Sequence, residues 1–348
     1  MPANGNRHHA LGDISMLYVS VLLRAAAEEG ADGPQLARRF NLDSAALASP
    51  QARISIPRFM RLGHAAISET GNRALGLRMG ALTRPVDAGL AGLAAETAAH
   101  VAQAMAVLVR YSRLTSHNSR GQPHLRPEQR EVHFHSIRPY NPFNYFVVDS
   151  VLAAWTQLAR TLTGRYDVLE RVAIEYPSTG QDELFERWFL CPVEFGADSN
   201  HVRFKPAVWR QPGSQAHPAM HEHLCHLCDQ ELEKIERGWT MADRVRHLIP
   251  PLLRGETPSL EAVAMRLGLS PWTLQRHLAD EGTGFRQLLD ETRQQLALDY
   301  LRETDSSLSE IAWLLGFANP PAFHKAYRRW FGISPGEHRR TLRHSPQR

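Results

Sequence analysis

The chain is 348 residues long, 43% hydrophobic and 22% charged, which excludes a disordered, collagen-like or rod-shaped coiled-coil protein. That length suits two domains of unequal size. Forty Lys and Arg against thirty-six Asp and Glu leave a net charge of +4, too small an excess to name a partner but compatible with an anionic one.

Met1 to Ala10 is polar and His-rich, without the apolar run behind a basic start that a secretory leader needs. Ser15 to Gly30 sets Leu17, Val21, Leu22 and Ala25 at helical spacing and stops at a glycine. Pro57 to Thr70, closed by Gly71, predicts a second helix. Asp87 to Arg110 predicts a third, with Leu90, Leu93, Ala94, Val101, Met105 and Leu108 on one face. The most apolar stretch, Gly89 to Tyr111, is broken by Glu96, His100 and Gln103 and is read as an amphipathic helix, not a membrane span.

Between Gln122 and Tyr140 the pattern alternates, and Arg130-Glu131-Val132-His133-Phe134-His135 predicts a half-buried strand. Tyr145 to Leu162 reads as a helix, followed by strands at Leu169 to Tyr176 and His201 to Phe204. Helices interleaved with a few antiparallel strands predict an α+β N-terminal domain. Within it, His133, His135, Arg138, Tyr140, Asn141 and Tyr145 are candidates for lining a ligand pocket. Pro206, Pro212, Gly213 and Pro218 punctuate the chain before a helix from about Ala219 to Arg237, and a linker is expected near Gly238 or Trp239.

His217, Met220, His221, His223, Cys225, His226 and Cys228, at and just before the start of that helix and along it, form the densest cluster of metal-type ligands in the chain. His221, Cys225 and Cys228 share a helical face, an arrangement suited to zinc or copper(I) in a metal- or redox-responsive regulator. Against this, no fourth ligand is evident, and cysteines on an amphipathic helix pack as small apolar groups. No metal and no cofactor are therefore expected. Three cysteines, an odd number, also point to a reducing, cytoplasmic compartment.

From Met241 onward there is no strand pattern, and an all-α C-terminal domain is expected. Leu260, Val263, Ala264 and Leu267 form one apolar stripe, Gly268-Leu269-Ser270 a turn, and Pro271 the start of a second helix. On that helix Leu274 and Leu278 face the core, while Trp272, Gln275, Arg276 and Ala279 face outward. About fifty residues later the plan repeats. Leu308, Ile311, Ala312 and Leu315 support a turn at Gly316-Phe317-Ala318-Asn319, and a helix from Pro320 buries Phe323, Tyr327 and Phe331 while exposing His324, Lys325 and Arg328. A helix from Phe285 to about Arg302 joins the two units. Arg and Gln near the start of a helix suit guanine and adenine edges, and a rigid connector would let both second helices enter successive major grooves about 34 Å apart. No phosphate-binding loop, Gly-x-Ser-x-Gly or His-Glu-x-x-His pattern is present, and an enzyme is not expected.

Gly316-Phe317, Phe323, Phe331-Gly332, Ser334-Pro335 and Arg339 resemble the C-terminal signature of the AraC/XylS family of transcription regulators. Leu269-Ser270-Pro271-Trp272-Thr273-Leu274-Gln275-Arg276 is similar to that family's first recognition helix. The resemblance implies an effector-binding and dimerisation domain over 1–237 and a DNA-binding domain over 238–348, with helix-turn-helix motifs at about 258–281 and 307–331. It also implies Trp272, Gln275 and Arg276 as DNA contacts in the first motif and His324 and Lys325 in the second, with Arg328 added from its basic outer face. Pro320-Pro321, Lys325 and His338 depart from the family's usual residues. Arg53-Ile54-Ser55-Ile56-Pro57 and Gly71 to Gly80 resemble the branch with a long non-cupin N-terminal domain. The implied partners are double-stranded promoter DNA, a small-molecule effector, a second copy of the chain and RNA polymerase, with no membrane. Similar helices also occur fused to a DNA repair protein with a four-cysteine zinc site. Three cysteines cannot build that site, and Cys191 is followed by proline where the acceptor motif has it before.

Overall fold

The computed structural model describes residues 12–49, 52–118, 120–236, 239–253, 255–304 and 306–344. They divide into two units. One comprises Asp13–Asn118 and Gln122–Ile235, and the other is made chiefly of the residues from Glu236 onward, with Gly12 and 120–121 grouped with it. The former is α+β and the latter helical throughout its described residues from Glu236 onward.

In the α+β unit the chain runs β1 (Gly12–Ser15), α1 (Met16–Glu28), α2 (Gly33–Arg39), α3 (Ser44–Ala48), β2 (Arg53–Ser55), α4 (Ile56–Thr70), α5 (Leu75–Leu82), α6 (Gly89–Glu96) and α7 (Val101–Arg110). It continues through β3 (Ser116–Asn118), β4 (His124–Arg126), β5 (Glu131–Phe134), α8 (Tyr145–Thr163), β6 (Leu169–Ile174), α9 (Asp182–Phe189), β7 (Val193–Phe195), β8 (Asn200–Phe204), α10 (Pro206–Trp209) and α11 (Pro218–Glu236). The strands make a three-stranded sheet in the order β2-β1-β3 and a five-stranded sheet in the order β4-β5-β8-β6-β7, in which only β6 and β7 are parallel. Alternation along the strands sends one set of side chains inward. Val132, Val202 and Val172 stand in register across β5, β8 and β6, fully buried, and Phe134 meets Trp155 of α8 edge-on.

Two features place the central helix. Gly76 and Gly80 lie one turn apart on α5 and face α8 so closely that a Cβ on Gly80 would stand 2.1 Å from that of Ala153. A Cβ on Gly76 would stand 2.6 Å from the Cβ of Asp149. The absence of side chains lets the two helices approach, and this fixes Asp149 in the interior. The helix expected from Asp87 to Arg110 is instead two, because the polar residues interrupting its stripe act as stop and start signals. Thr97 Oγ1 donates to the Leu93 carbonyl at 3.2 Å, and His100 in extended backbone caps α7 by accepting the Gln103 amide at 3.1 Å.

The helical unit contains α12 (Met241–Leu252), α13 (Leu260–Arg266), α14 (Pro271–Asp280), α15 (Phe285–Glu303), α16 (Leu308–Leu314), α17 (Pro320–Phe331) and α18 (Pro335–His344). Nearly all start at a capping oxygen: Thr240, Ser259, Ser270, Ser307 and Asn319 each accept an amide from the first turn. Val245, Ile249, Val263, Leu274, Leu288, Leu301, Ile311, Phe323 and Tyr327 form its fully buried interior. Among the described residues no helix is long and apolar enough to cross a membrane.

Candidate nucleic-acid interface and ligand cavity

The pairs α13–α14 and α16–α17 are built to one plan. In the turns, Leu269 returns its amide to Ala264 at 3.0 Å and Phe317 returns its own to Ala312 at 2.9 Å. Gly268 and Gly316 both sit at positive φ, 67° and 69°, where a side chain is strained. Ser270 and Asn319 then cap helices whose first residue is proline, and Leu274 and Leu278 of α14 are buried just as Phe323 and Tyr327 of α17 are. Because these helices start at Pro271 and Pro320, Gln275 and Arg276 occupy the helical positions that His324 and Lys325 occupy in the second pair.

The outward faces differ in character. Trp272 is 67% exposed, Gln275 and Arg276 are exposed beside it, and the Arg276 guanidinium lies 5.0 Å over the Trp272 ring. This cation–π contact holds Arg276 along the helix. On α17 Lys325 and Arg328 are exposed, whereas His324 is half-buried with its ring edge-on to Phe323. The neighbouring Arg329 is engaged by Asp290 at 2.7 Å. Phe331, expected on the buried face, is only half-buried at the helix end, where His338 packs beside it and hydrogen-bonds Tyr327 Oη at 2.8 Å. The imidazole thus supplies both a ring against Phe331 and a polar partner for Tyr327.

One residue absent from the sequence expectations ties the two pairs together. Arg293, in the middle of α15 and 8% exposed, donates from Nε to the Leu315 carbonyl and from Nη2 to the Gly316 carbonyl, both at 2.8 Å. Nη2 also reaches Thr257 Oγ1 at 2.9 Å, and the guanidinium lies 4.6 Å over the Phe317 ring. It therefore satisfies the exit of α16 and fastens it to the segment leading into α13. A charged residue within an otherwise amphipathic connector gives no sign of this from spacing alone.

The α+β unit holds a cavity of about 580 Å³ walled by α4, by the start of α8, and by the connection from β6 to α9. His64, Ile67 and Ser68 come from α4, Gly71 and Arg73 follow it, and Pro142, Tyr145, Phe146 and Asp149 come from the entry and first turns of α8. Tyr176, Thr179, Gln181 and Phe185 complete the lining. Tyr145 and Tyr176 stack with ring centroids 4.3 Å apart. Asp149 is 2% exposed, accepts a hydrogen bond from Tyr176 Oη, and has no Lys, Arg or His at ion-pair distance among the described residues. Burial without a compensating cation pushes its carboxyl up to about 8, and the tyrosine hydroxyl offsets this only in part.

Of the six residues expected to line a pocket, Tyr145 alone lines this cavity. Arg138 and Tyr140 both bind Glu175, and Asn141 organises the turn into α8 by accepting the Phe143 amide. His133, 2% exposed, stacks between His124 and His201 at 4.6 Å from each and points Nε2 at the Glu131 carboxylate at 3.0 Å. Glu131 also takes Nε and Nη2 of Arg203, and His135 extends the stack beyond His124. These histidines alternate with Val132 and Phe134 along β5, so they occupy the sheet face turned away from α8.

On α11 Cys225 Sγ lies 3.7 Å from His221 Nε2, while the other contacts of these residues go to the core. His221 Nδ1 meets the Ala94 carbonyl at 2.8 Å, and Cys228 is fully buried in the apolar core with its thiol pushed up to about 12 by desolvation. Forming the thiolate that a metal requires is costly there. Among the described residues no group of three or more His, Cys, Asp or Glu is arranged to hold a metal ion.

Comparison with known proteins connects both units to one family. Residues 30–213 match the family described as the arabinose-binding domain of AraC transcription regulator, N-terminal, and residues 263–341 match a helix-turn-helix domain family. The chain is 28% identical over 327 residues to the ornithine utilization regulator of Pseudomonas aeruginosa, covering 94% of this chain and 96% of that protein. It is 26% identical over 322 residues to the transcriptional regulator VirS of Mycobacterium tuberculosis, covering 90% and 92%. The crystal structure of the transcriptional regulator CdpR from Pseudomonas aeruginosa aligns with 93% of this chain and 98% of its own, at 21% identity and a TM-score of 0.43. The N-terminal match alone spans more than half of the chain, and the chain belongs to the AraC family of transcription regulators.

Proposed function

We propose that the chain controls transcription by binding promoter DNA through α14 and α17 and by coupling that binding to a small molecule held in the cavity of the α+β unit. On this reading Trp272, Gln275 and Arg276 meet base edges in one major groove. Lys325 and Arg328 contact phosphates from the other, with His324 contributing less because it is half-buried. The observation that carries the reading is the duplicated turn-and-helix plan, whose buried faces match position for position while each outward face keeps its long polar side chains free of the core. The domains assigned are 1–237 for effector binding and dimerisation and 238–348 for DNA. The chain acts as a cytoplasmic homodimer that contacts RNA polymerase and catalyses no reaction.

A mobility shift with the full chain and DNA fragments from its own genome tests this. Retention of a small set of fragments at a salt concentration that abolishes binding to random DNA is expected. Equal retention of all sequences, or none at low salt, would overturn it.

A further inference from the structure

We infer that the cavity binds an organic monoamine, with its ammonium group on Asp149 and its apolar body against Tyr145, Phe146, Tyr176 and Phe185. This deepens the proposed function, because it rests on the cavity being the effector site. A buried carboxyl is costly to ionise without a partner, and among the described residues Asp149 has a tyrosine hydroxyl but no cation. The missing positive charge is what an ammonium ligand brings. Aromatic faces around that position favour a cation through their ring quadrupoles and cover the hydrocarbon part of the molecule.

The rest of the lining narrows the class further. A sugar, with a hydroxyl on nearly every carbon, would leave most of these groups unpaired against Phe146, Phe185, Ile67 and Pro142. A diamine would bring its second charge towards Arg73, which is exposed at the edge of the cavity. A single ammonium group satisfies both constraints.

The titratable and charged groups lining the cavity with Asp149 are Tyr145 from its own helix, Tyr176 from the segment after β6, His64 from α4, and Arg73 from the connection to α5. The face of α5 against it carries glycine. Since burial keeps the Asp149 carboxyl protonated at neutral pH, an ammonium ligand must displace one proton as it binds. The affinity of a monoamine therefore rises by about tenfold per pH unit below pH 8, whereas that of a neutral ligand does not.

Calorimetry on the full chain with phenethylamine, 2-phenylethanol, putrescine and L-arabinose is the test. Expected are at least tenfold tighter binding of phenethylamine than of the alcohol or putrescine, release of one proton on binding, and loss of the amine preference in Asp149→Asn. Equal affinity for amine and alcohol, arabinose as the tightest ligand, or an amine affinity that is flat between pH 6.5 and 7.5 would overturn the inference. The pH profile is measured on the unaltered chain, so it decides even where the variant fails to fold. Promoter binding in the mobility shift is read separately, and a chain that binds its operator but fails the amine test loses this inference while keeping the DNA-binding part of the proposed function.

Discussion

Individual side chains on α14 and α17 have distinct jobs and should fail in distinct ways. Arg276→Ala should cost roughly 1–3 kcal/mol in operator binding and relax the preference at one base pair, as measured by titration against single-base operator variants. Arg328→Ala should weaken binding to all sequences and lower the salt slope by about one. Unchanged selectivity in the first or an unchanged slope in the second would contradict those roles. Arg293 works differently, since its removal takes the side-chain donor from the Leu315 carbonyl and leaves the Gly316 carbonyl with Thr257 Oγ1 alone. Arg293→Ala should cost at least about 3 kcal/mol of stability in denaturant unfolding, with Lys a poor substitute because it cannot span both carbonyls. In the α+β unit, two groups give opposite pH dependences. His133 is held down to about 4, chiefly by burial, so the unfolded chain takes up the proton first and stability falls as pH drops from about 6.5 to 4. His201, His124 and Arg126 around it disfavour a further positive charge, while the hydrogen bond to Glu131 favours one. Asp149, held up to about 8, releases its proton first in the unfolded chain, so stability falls as pH rises from about 4 to 8. Asp149→Asn should remove the second slope and leave the first, as followed by melting temperature across that range.

At the scale of elements, the contact between α5 and α8 depends on having no side chain at two positions. Gly80→Ala puts a Cβ inside the radius of Ala153 and should lower the melting temperature of the α+β unit by several degrees, from an overpacking cost of about 1–3 kcal/mol. A melting temperature unchanged within a degree would show that the helices can separate freely. The two helix-turn-helix pairs are the elements that sequence spacing exposed most directly. Their starts are local signals, a capping Ser or Asn followed by proline, and their turns carry glycine at positive φ. The strands β1, β2, β3 and β7 were not legible, being three or four residues long and held by pairing with segments distant in the chain. The split between α6 and α7 could have been anticipated, for Thr97, His100 and Gln103 are a stop, a cap and a partner to that cap. The cavity was hidden for a different reason. Its walls come from α4, α8 and α9, distant in the chain, although Asp149 stands at helical spacing from Phe146, Leu152 and Ala153 on the buried face of its helix.

For the molecule as a whole, coupling between ligand and DNA obeys reciprocity. An effector that changes operator affinity by a given factor must itself bind the DNA-loaded protein better or worse by the same factor. Effector titrations with and without saturating operator should show matching ratios, and a ligand whose affinity ignores bound DNA would not be the regulator of this chain. Charge at this scale was uninformative in the sequence, since an excess of +4 spreads over 348 residues. What gives it meaning is placement, because Arg276, Lys325 and Arg328 stand on two exposed helix faces while Arg293, Arg203 and Arg329 are occupied within the protein. The twin turn-helix plan has one more consequence. The two frames coincide, yet one displays Trp272, Gln275 and Arg276 and the other Pro321, His324 and Lys325, so a single protomer has a head and a tail. On the proposed function, the half-site of each protomer is then an arrow, not a mirror-symmetric word, and reversing one half-site alone should weaken binding by the homodimer.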